Sequence, residues 1–139
     1  MKVSELMTRD PVSIDSSASV ADVCELMRER DIRHVPIVER GTLVGIASDR
    51  DLARLDLGSV LASEGPEWLR QQLETPIVRF MSPDVISVFP EMDIGDAVDL
   101  LIDHKVGALP VLRLETGELV GILSYIDVLK ALRTLLPAE

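Results

Sequence analysis

The sequence predicts an α+β protein built from two tandem copies of one unit. Three observations carry that prediction. The chain repeats itself along its length, each copy carries the same alternation of strand and helix patterns, and its core must be aliphatic. Setting Met7 on Met81, an offset of 74 residues, brings Asp10 onto Asp84, Ser13 onto Ser87, Asp22 onto Asp96, Leu26 onto Leu100 and Pro36 onto Pro110. Two extra residues in the second copy then move the offset to 76. Gly41 now meets Gly117, Leu43-Val44-Gly45-Ile46 meets Leu119-Val120-Gly121-Ile122, Ser48 meets Ser124, and Asp51 meets Asp127. An ordered set with one small insertion marks an internal duplication. Apolar residues are 47% of the 139 and aromatics only 3%, so aliphatic side chains must fill the interior.

Each copy opens on a short extended segment, Val12-Ser13-Ile14 or Ile86-Ser87-Val88. A helix follows. Ser19 with Asp22, and Asp93 with Asp96, stand at capping spacing. Val20, Val23, Cys24 and Met27 then fall at i, i+3, i+4 and i+7, as do Ile94, Ala97, Val98 and Leu101. Val35–Val38 and Leu43–Ala47 read as a hairpin turning at Gly41, matched by Leu109–Leu112 and Leu119–Leu123 around Gly117. The prolines in the first strand of each hairpin predict an edge position or a strand start. A last helix begins at Ser48 or Ser124, the second running through Leu135.

The stretch between copies is punctuated by Gly58, Gly65, Pro66 and Pro76. Trp68–Leu73 reads as a short helix, with Trp68, the sole tryptophan, as a packing anchor. The boundaries are therefore 1–56 for the first unit, 57–76 for a linker with a short helix, and 77–139 for the second. A unit of about 50 residues buries little core alone, so the copies are expected to pack as one module.

Composition excludes several classes. With 24 acidic and 14 basic residues the formal charge is −10, which gives no global attraction for nucleic acid or anionic membrane. Cys24 stands alone, so neither an internal disulfide nor a cysteine zinc site is expected. No apolar run approaches the roughly 20 residues that span a bilayer. The opening MKVSELMTRD lacks the apolar stretch of a signal peptide. The expected location is the cytoplasm.

In both copies a strand ends in Gly-x-x-Ser-x-x-Asp: Gly45 to Asp51 and Gly121 to Asp127. Serine and aspartate thus sit at a strand-to-helix junction. A helix start suits phosphate. The hydroxyl can donate to a phosphate oxygen, the carboxylate can accept from a ribose diol, and the glycine lets a ligand approach the backbone. The same spacing is also a helix cap that needs no ligand, and a duplicated cap would look identical. Catalysis has little support, because no nucleophile–base set, phosphate-binding glycine loop or dinucleotide fingerprint is present. Cys24 reads as core and His104 as surface. Asp49-Arg50-Asp51 suits Mg²⁺ only alongside a nucleotide.

The pattern resembles the CBS domain, named for cystathionine β-synthase, over nearly the whole chain. The residues that carry the resemblance are Leu6-Met7-Thr8, echoed by Phe80-Met81-Ser82, the His34–Val38 strand, and both Gly-x-x-Ser-x-x-Asp ends. Ile32–Pro36 and Ser48–Asp51 look like the stand-alone type that includes acetoin-utilisation accessory proteins. The resemblance implies two βαββα units around a pseudo-two-fold axis, an adenosine-containing ligand such as AMP, ADP, ATP or S-adenosylmethionine in clefts between them, and a homodimer acting on an effector protein. It places phosphate on Ser48 and Ser124 and ribose on Asp51 and Asp127. It puts the base near Val12, Val35, Ile86 and Leu109. It also implies that Arg33, His34 and Arg50 contact phosphates; copy two has Gly107, Ala108 and Ile126 there, which predicts unequal affinities. The alternatives are solvated charges at the arginines and a packed or capping histidine. For the whole chain, the alternatives are a structural dimerisation module with empty clefts or a small nucleotide-processing enzyme.

Overall fold

The computed structural model describes residues 1–53 and 65–138. The expected 56/57 boundary and Gly58 lie outside the described residues. In chain order the elements are α1 (Val3–Leu6), β1 (Thr8–Arg9), β2 (Ile14–Asp15), α2 (Val20–Arg30), β3 (His34–Glu39), β4 (Thr42–Ser48), α3 (Asp49–Ala53) and α4 (Gly65–Glu74). After a 3₁₀ turn at Ile77–Arg79 come α5 (Ile94–His104), β5 (Ala108–Leu112), β6 (Leu119–Ser124) and α6 (Tyr125–Leu135). The chain forms two compact units. One is continuous, Val12–Asp84; the other is split, joining Met1–Pro11 to Val85–Glu139. Each therefore combines the body of one sequence repeat with the opening residues of the other.

In the continuous unit, β2 runs parallel to β3 and β3 antiparallel to β4. Ser19 and Asp22 close α2 in the reciprocal cap the spacing predicts. Val20, Val23 and Met27 on its inner face meet Val35, Ile37, Ala47 and Ile77, with Cys24 half-buried against them. The hairpin turns on Arg40 and Gly41, both at positive φ, the backbone that a two-residue turn between twisted strands requires. The segment after α4 is tied to the start of α2, since Val20 N–H donates to Thr75 O at 2.9 Å and Ile77 N–H to Ala18 O at 2.9 Å. Trp68 is only half-buried and lies outside the core cluster, so the anchoring role expected of it falls to Leu73 and Ile77.

Pro36 corrects an expectation: β3 is the central strand, not an edge. Ile46, opposite Pro36, sends its own N–H and C=O to Ser82. The pair is therefore the wide, non-bonded kind, and the proline nitrogen faces the β2 side. There the pairing begins one residue later, Ile14 with Ile37, so no ladder bond is lost.

The split unit has the order β1-β6-β5, both pairs antiparallel. Val88 adds a single parallel bridge to Val111. Val3, Val88, Ala97, Leu101, Leu109, Val111 and Leu123 form its core. The two-residue insertion lies in the hairpin loop, where Arg113 N–H donates to Glu118 O at 2.8 Å and Gly117 takes the positive φ. Asp93 caps α5 through Gly95 N–H at 2.8 Å, one residue earlier than the spacing with Asp96 predicts.

Candidate functional site

Both Ser-x-x-Asp motifs fall at a strand-to-helix junction. In the continuous unit, Ser48 ends β4 and Asp51 lies in the first turn of α3. Asp51 Oδ2 accepts from Ser48 N–H at 2.9 Å and lies 3.0 Å from Ser48 Oγ, which in turn accepts from Asp51 N–H at 3.2 Å. In the split unit, Ser124 caps α6 with the same three bonds to Asp127, at 2.9, 3.1 and 3.2 Å. The geometry is a complete capping box. One chemical consequence follows. The serine hydroxyl hydrogen points to the carboxylate, so it must rotate before it can donate to a phosphate. The carboxylate keeps its backbone N–H meanwhile.

The two junctions differ in their surroundings. Asp51 is the one buried charged residue among those described, at 8% exposure. Asp127 is half-buried, and its Oδ1 accepts from Thr8 Oγ1 at 3.3 Å. Sequence reasoning missed Thr8, although its place in the Leu-Met-Thr opening was visible. His34 pairs with Ser48 across β3 and β4, and Arg33 O accepts Asp49 N–H at 2.9 Å. That register draws Arg33, His34, Asp49, Arg50 and Asp51 to one end of the sheet. Burial pushes the half-buried His34 imidazole below its ordinary pKa, opposed by Asp49 and Asp51 and reinforced by Arg50 and Arg33. At the matching end of the split unit Ala108 pairs with Ser124, and Gly107 O accepts Tyr125 N–H at 3.0 Å.

Val35 and Leu109 are fully buried in their respective cores, so they offer a ligand backbone rather than side chain. Val12 and Ile86 are half-buried. Val12 belongs with Ser48 in the continuous unit, and Ile86 with Ser124 in the split unit.

The motif glycines have a packing role. A Cβ on Gly45 would collide with the Met81 side chain, and one on Gly121 would lie 2.7 Å from Met7 Sδ. A methionine side chain fills the space on the Cβ side of each glycine. Burial pushes the Cys24 thiol pKa up, which favours the protonated thiol. His104 is exposed at the end of α5. Among the described residues no three His, Cys, Asp or Glu side chains gather as metal ligands, and no helix is long and apolar enough to cross a membrane. A shallow depression of about 560 Å³ in the continuous unit is lined by Asp15, Ser16, Glu39, Arg40, Val78 and Met81 among others, and by none of the candidate residues.

Comparison with known proteins places this architecture. The CBS domain model matches residues 3–58 and 77–134. The CBS domain-containing protein YhcV of Bacillus subtilis is 27% identical over 125 residues, covering 90% of this chain and 81% of its own. A crystal structure described as that of an acetoin utilization protein (AcuB) of Vibrio cholerae superposes with a TM-score of 0.78 at 35% identity, over 97% of this chain and 92% of that one. CBSX2, solved in complex with AMP, superposes with a TM-score of 0.78 at 28% identity, over 96% of this chain and 97% of that one. With both sequence repeats matched, and with their strand–helix order present in the structure, the chain belongs to the CBS domain family.

Proposed function

We propose that this chain is a regulatory module that binds an adenine nucleotide and passes on occupancy through a change of shape or of assembly. The observation that carries the reading is the pairing, in both units, of a serine hydroxyl with an aspartate carboxylate at the start of the helix after the hairpin. The AMP complex of CBSX2, a relative across nearly the whole chain, supports the ligand class. In this reading Ser48 and Ser124 donate to phosphate, and Asp51 and Asp127 accept from the ribose hydroxyls. Val12 and Val35, or Ile86 and Leu109, bound the base. Arg33, His34 and Arg50 supply positive charge at the first junction. Mg²⁺ enters only as the companion of a bound polyphosphate. The module performs no reaction of its own and works in the cytoplasm as a homodimer acting on an effector protein. The exposed Leu129 and Leu132 on α6 offer apolar surface for such contacts. A ligand shifts such a module only if it binds two conformations unequally.

One observation favours a second reading. The capping boxes are complete without a ligand, as in a structural dimerisation module with empty clefts. Asp→Asn separates the two, because an amide oxygen still accepts the serine N–H but serves a ribose diol poorly. Calorimetric titration of AMP into the wild type, Asp51→Asn and Asp127→Asn is the test. Nucleotide binding predicts heat in the wild type and at least tenfold weaker affinity in one or both variants. No heat at millimolar AMP, with all three proteins folded, favours the structural module.

A further inference from the structure

The helix α6 is packed on one side only. Val128 meets the core of the split unit, and no residue of the helix is fully buried. Its outward side carries Tyr125, Leu129 and Leu132, continued by Leu136 at the C-cap, at spacings of four, three and four. Those are the spacings of a helix–helix seam. Leu129 and Leu132 are exposed at 52% and 48%. Lys130 and Arg133 stand exposed beside them. The helix α5 carries a complementary stripe. From the exposed Asp99, Ile102 at 64% exposure and Val106 follow at i+3 and i+7, with Asp103 alongside. Among the described residues none of Asp99, Asp103, Lys130 and Arg133 forms a salt bridge. The continuous unit differs. The first repeat has Asp49, Ala53, Asp56 and Val60 at the sequence positions that match the α6 stripe, and Arg28 at the position of Ile102. Among its described residues Val78 is the one exposed large apolar side chain.

We infer that a second copy of this chain covers α6, through the split unit alone: the leucine stripe of each copy seats on α5 of the other about a two-fold axis. This rests on the homodimer of the reading above and adds which face makes it. A two-fold contact needs one surface that is complementary to itself. The split unit supplies both halves, leucines edged by cations on α6 and Ile102 and Val106 edged by carboxylates on α5. Burial of the leucines drives the association. The charges set the pairing, since Lys130 and Arg133 meet Asp99 and Asp103, whereas α6 laid on α6 brings cation to cation. A chain of net charge −10 repels its own copies, so a stable contact must set its few cations against carboxylates.

The test is sedimentation equilibrium of the full chain without nucleotide, with circular dichroism to confirm folding. All substitutions lie at exposed positions. The wild type is expected to sediment as a dimer. Leu129→Gln/Leu132→Gln and Lys130→Glu/Arg133→Glu are each expected to weaken dimerisation at least tenfold. Adding Asp99→Lys/Asp103→Lys to the second variant is expected to restore most of the loss, because the reversed charges match again. Glu25→Lys/Glu29→Lys, the matching change on α2, is expected to alter dimerisation less than threefold. A dimer indifferent to the leucines and to Lys130 and Arg133, one that the added lysines fail to restore, or one broken by the α2 change overturns the inference and leaves a homodimer standing. A wild type that stays monomeric at 100 μM overturns the homodimer and the inference together, and leaves nucleotide binding to its own test.

Discussion

Met7 lies across Gly121 so closely that a Cβ there would sit 2.7 Å from its sulfur and 3.0 Å from the Thr8 carbonyl oxygen. Met81 covers Gly45 in the same way. The opening of each sequence repeat is thus packed onto a strand of the other, and the glycine admits it. Gly121→Ala meets backbone as well as a flexible side chain, and should cost about 1–3 kcal/mol. At Gly45 the three nearest atoms all belong to the flexible Met81 side chain, so Gly45→Ala should cost less. Denaturant midpoints of the two variants check the order; equal losses would contradict it.

Ser124 caps the 11-residue helix α6, and its hydroxyl accepts Asp127 N–H. Ser124→Ala should lower stability by about 0.5–2 kcal/mol. Ser124→Asp should recover most of it, because a carboxylate also caps. Chemical denaturation in the absence of ligand reads both variants.

His34 gives the protein a pH dependence of definite sign. Its pKa in the folded chain is lowered, chiefly by burial, so the unfolded chain binds the proton more readily. Stability is therefore full above the unfolded value of about 6.5 and falls as the pH drops below it. His34→Gln should flatten this slope between pH 7.5 and 5. Asp15, whose pKa is also lowered, titrates well below that window. Urea midpoints at four pH values in wild type and variant make the comparison.

The same histidine links binding to protons. A phosphate near His34 favours the charged imidazole, so binding takes up a proton. AMP affinity should rise as the pH falls from 7.5 toward 6, and His34→Gln should reduce the rise. Titration calorimetry in two buffers of different ionisation enthalpy measures the uptake directly.

Much of this was legible in the sequence because it is local. The 3.6-residue stripes marked α2 and α5, and the Ser19/Asp22 pair marked the α2 cap. Gly41 and Gly117 marked the hairpins, and the inserted residues landed in a loop. What escaped was long-range. Pro36 reads as an edge residue until the offset between β2 and β3 is known. The packing of Met81 on Gly45 and of Met7 on Gly121 has no local signal. Asp93 caps through Gly95 N–H, while Asp96 N–H donates to the Asp93 backbone oxygen. Thr8 reached Asp127 because β1 pairs with β6, a contact 119 residues apart that no local pattern encodes. The Ser–Asp spacing was legible as either cap or ligand site, and the structure realises the cap in both copies.

In the proposed function both Ser–Asp junctions bind an adenine nucleotide. Thermal melts of the wild type and of Asp51→Asn/Asp127→Asn with AMP, ADP, ATP and S-adenosylmethionine test it most directly. A ligand at a hundredfold over its dissociation constant adds about 2.7 kcal/mol, or roughly 10 °C in a chain of this size. Such a shift is expected for at least one adenine ligand in the wild type, with little or none in the double variant. Melting temperatures unmoved by every ligand at millimolar concentration would contradict it.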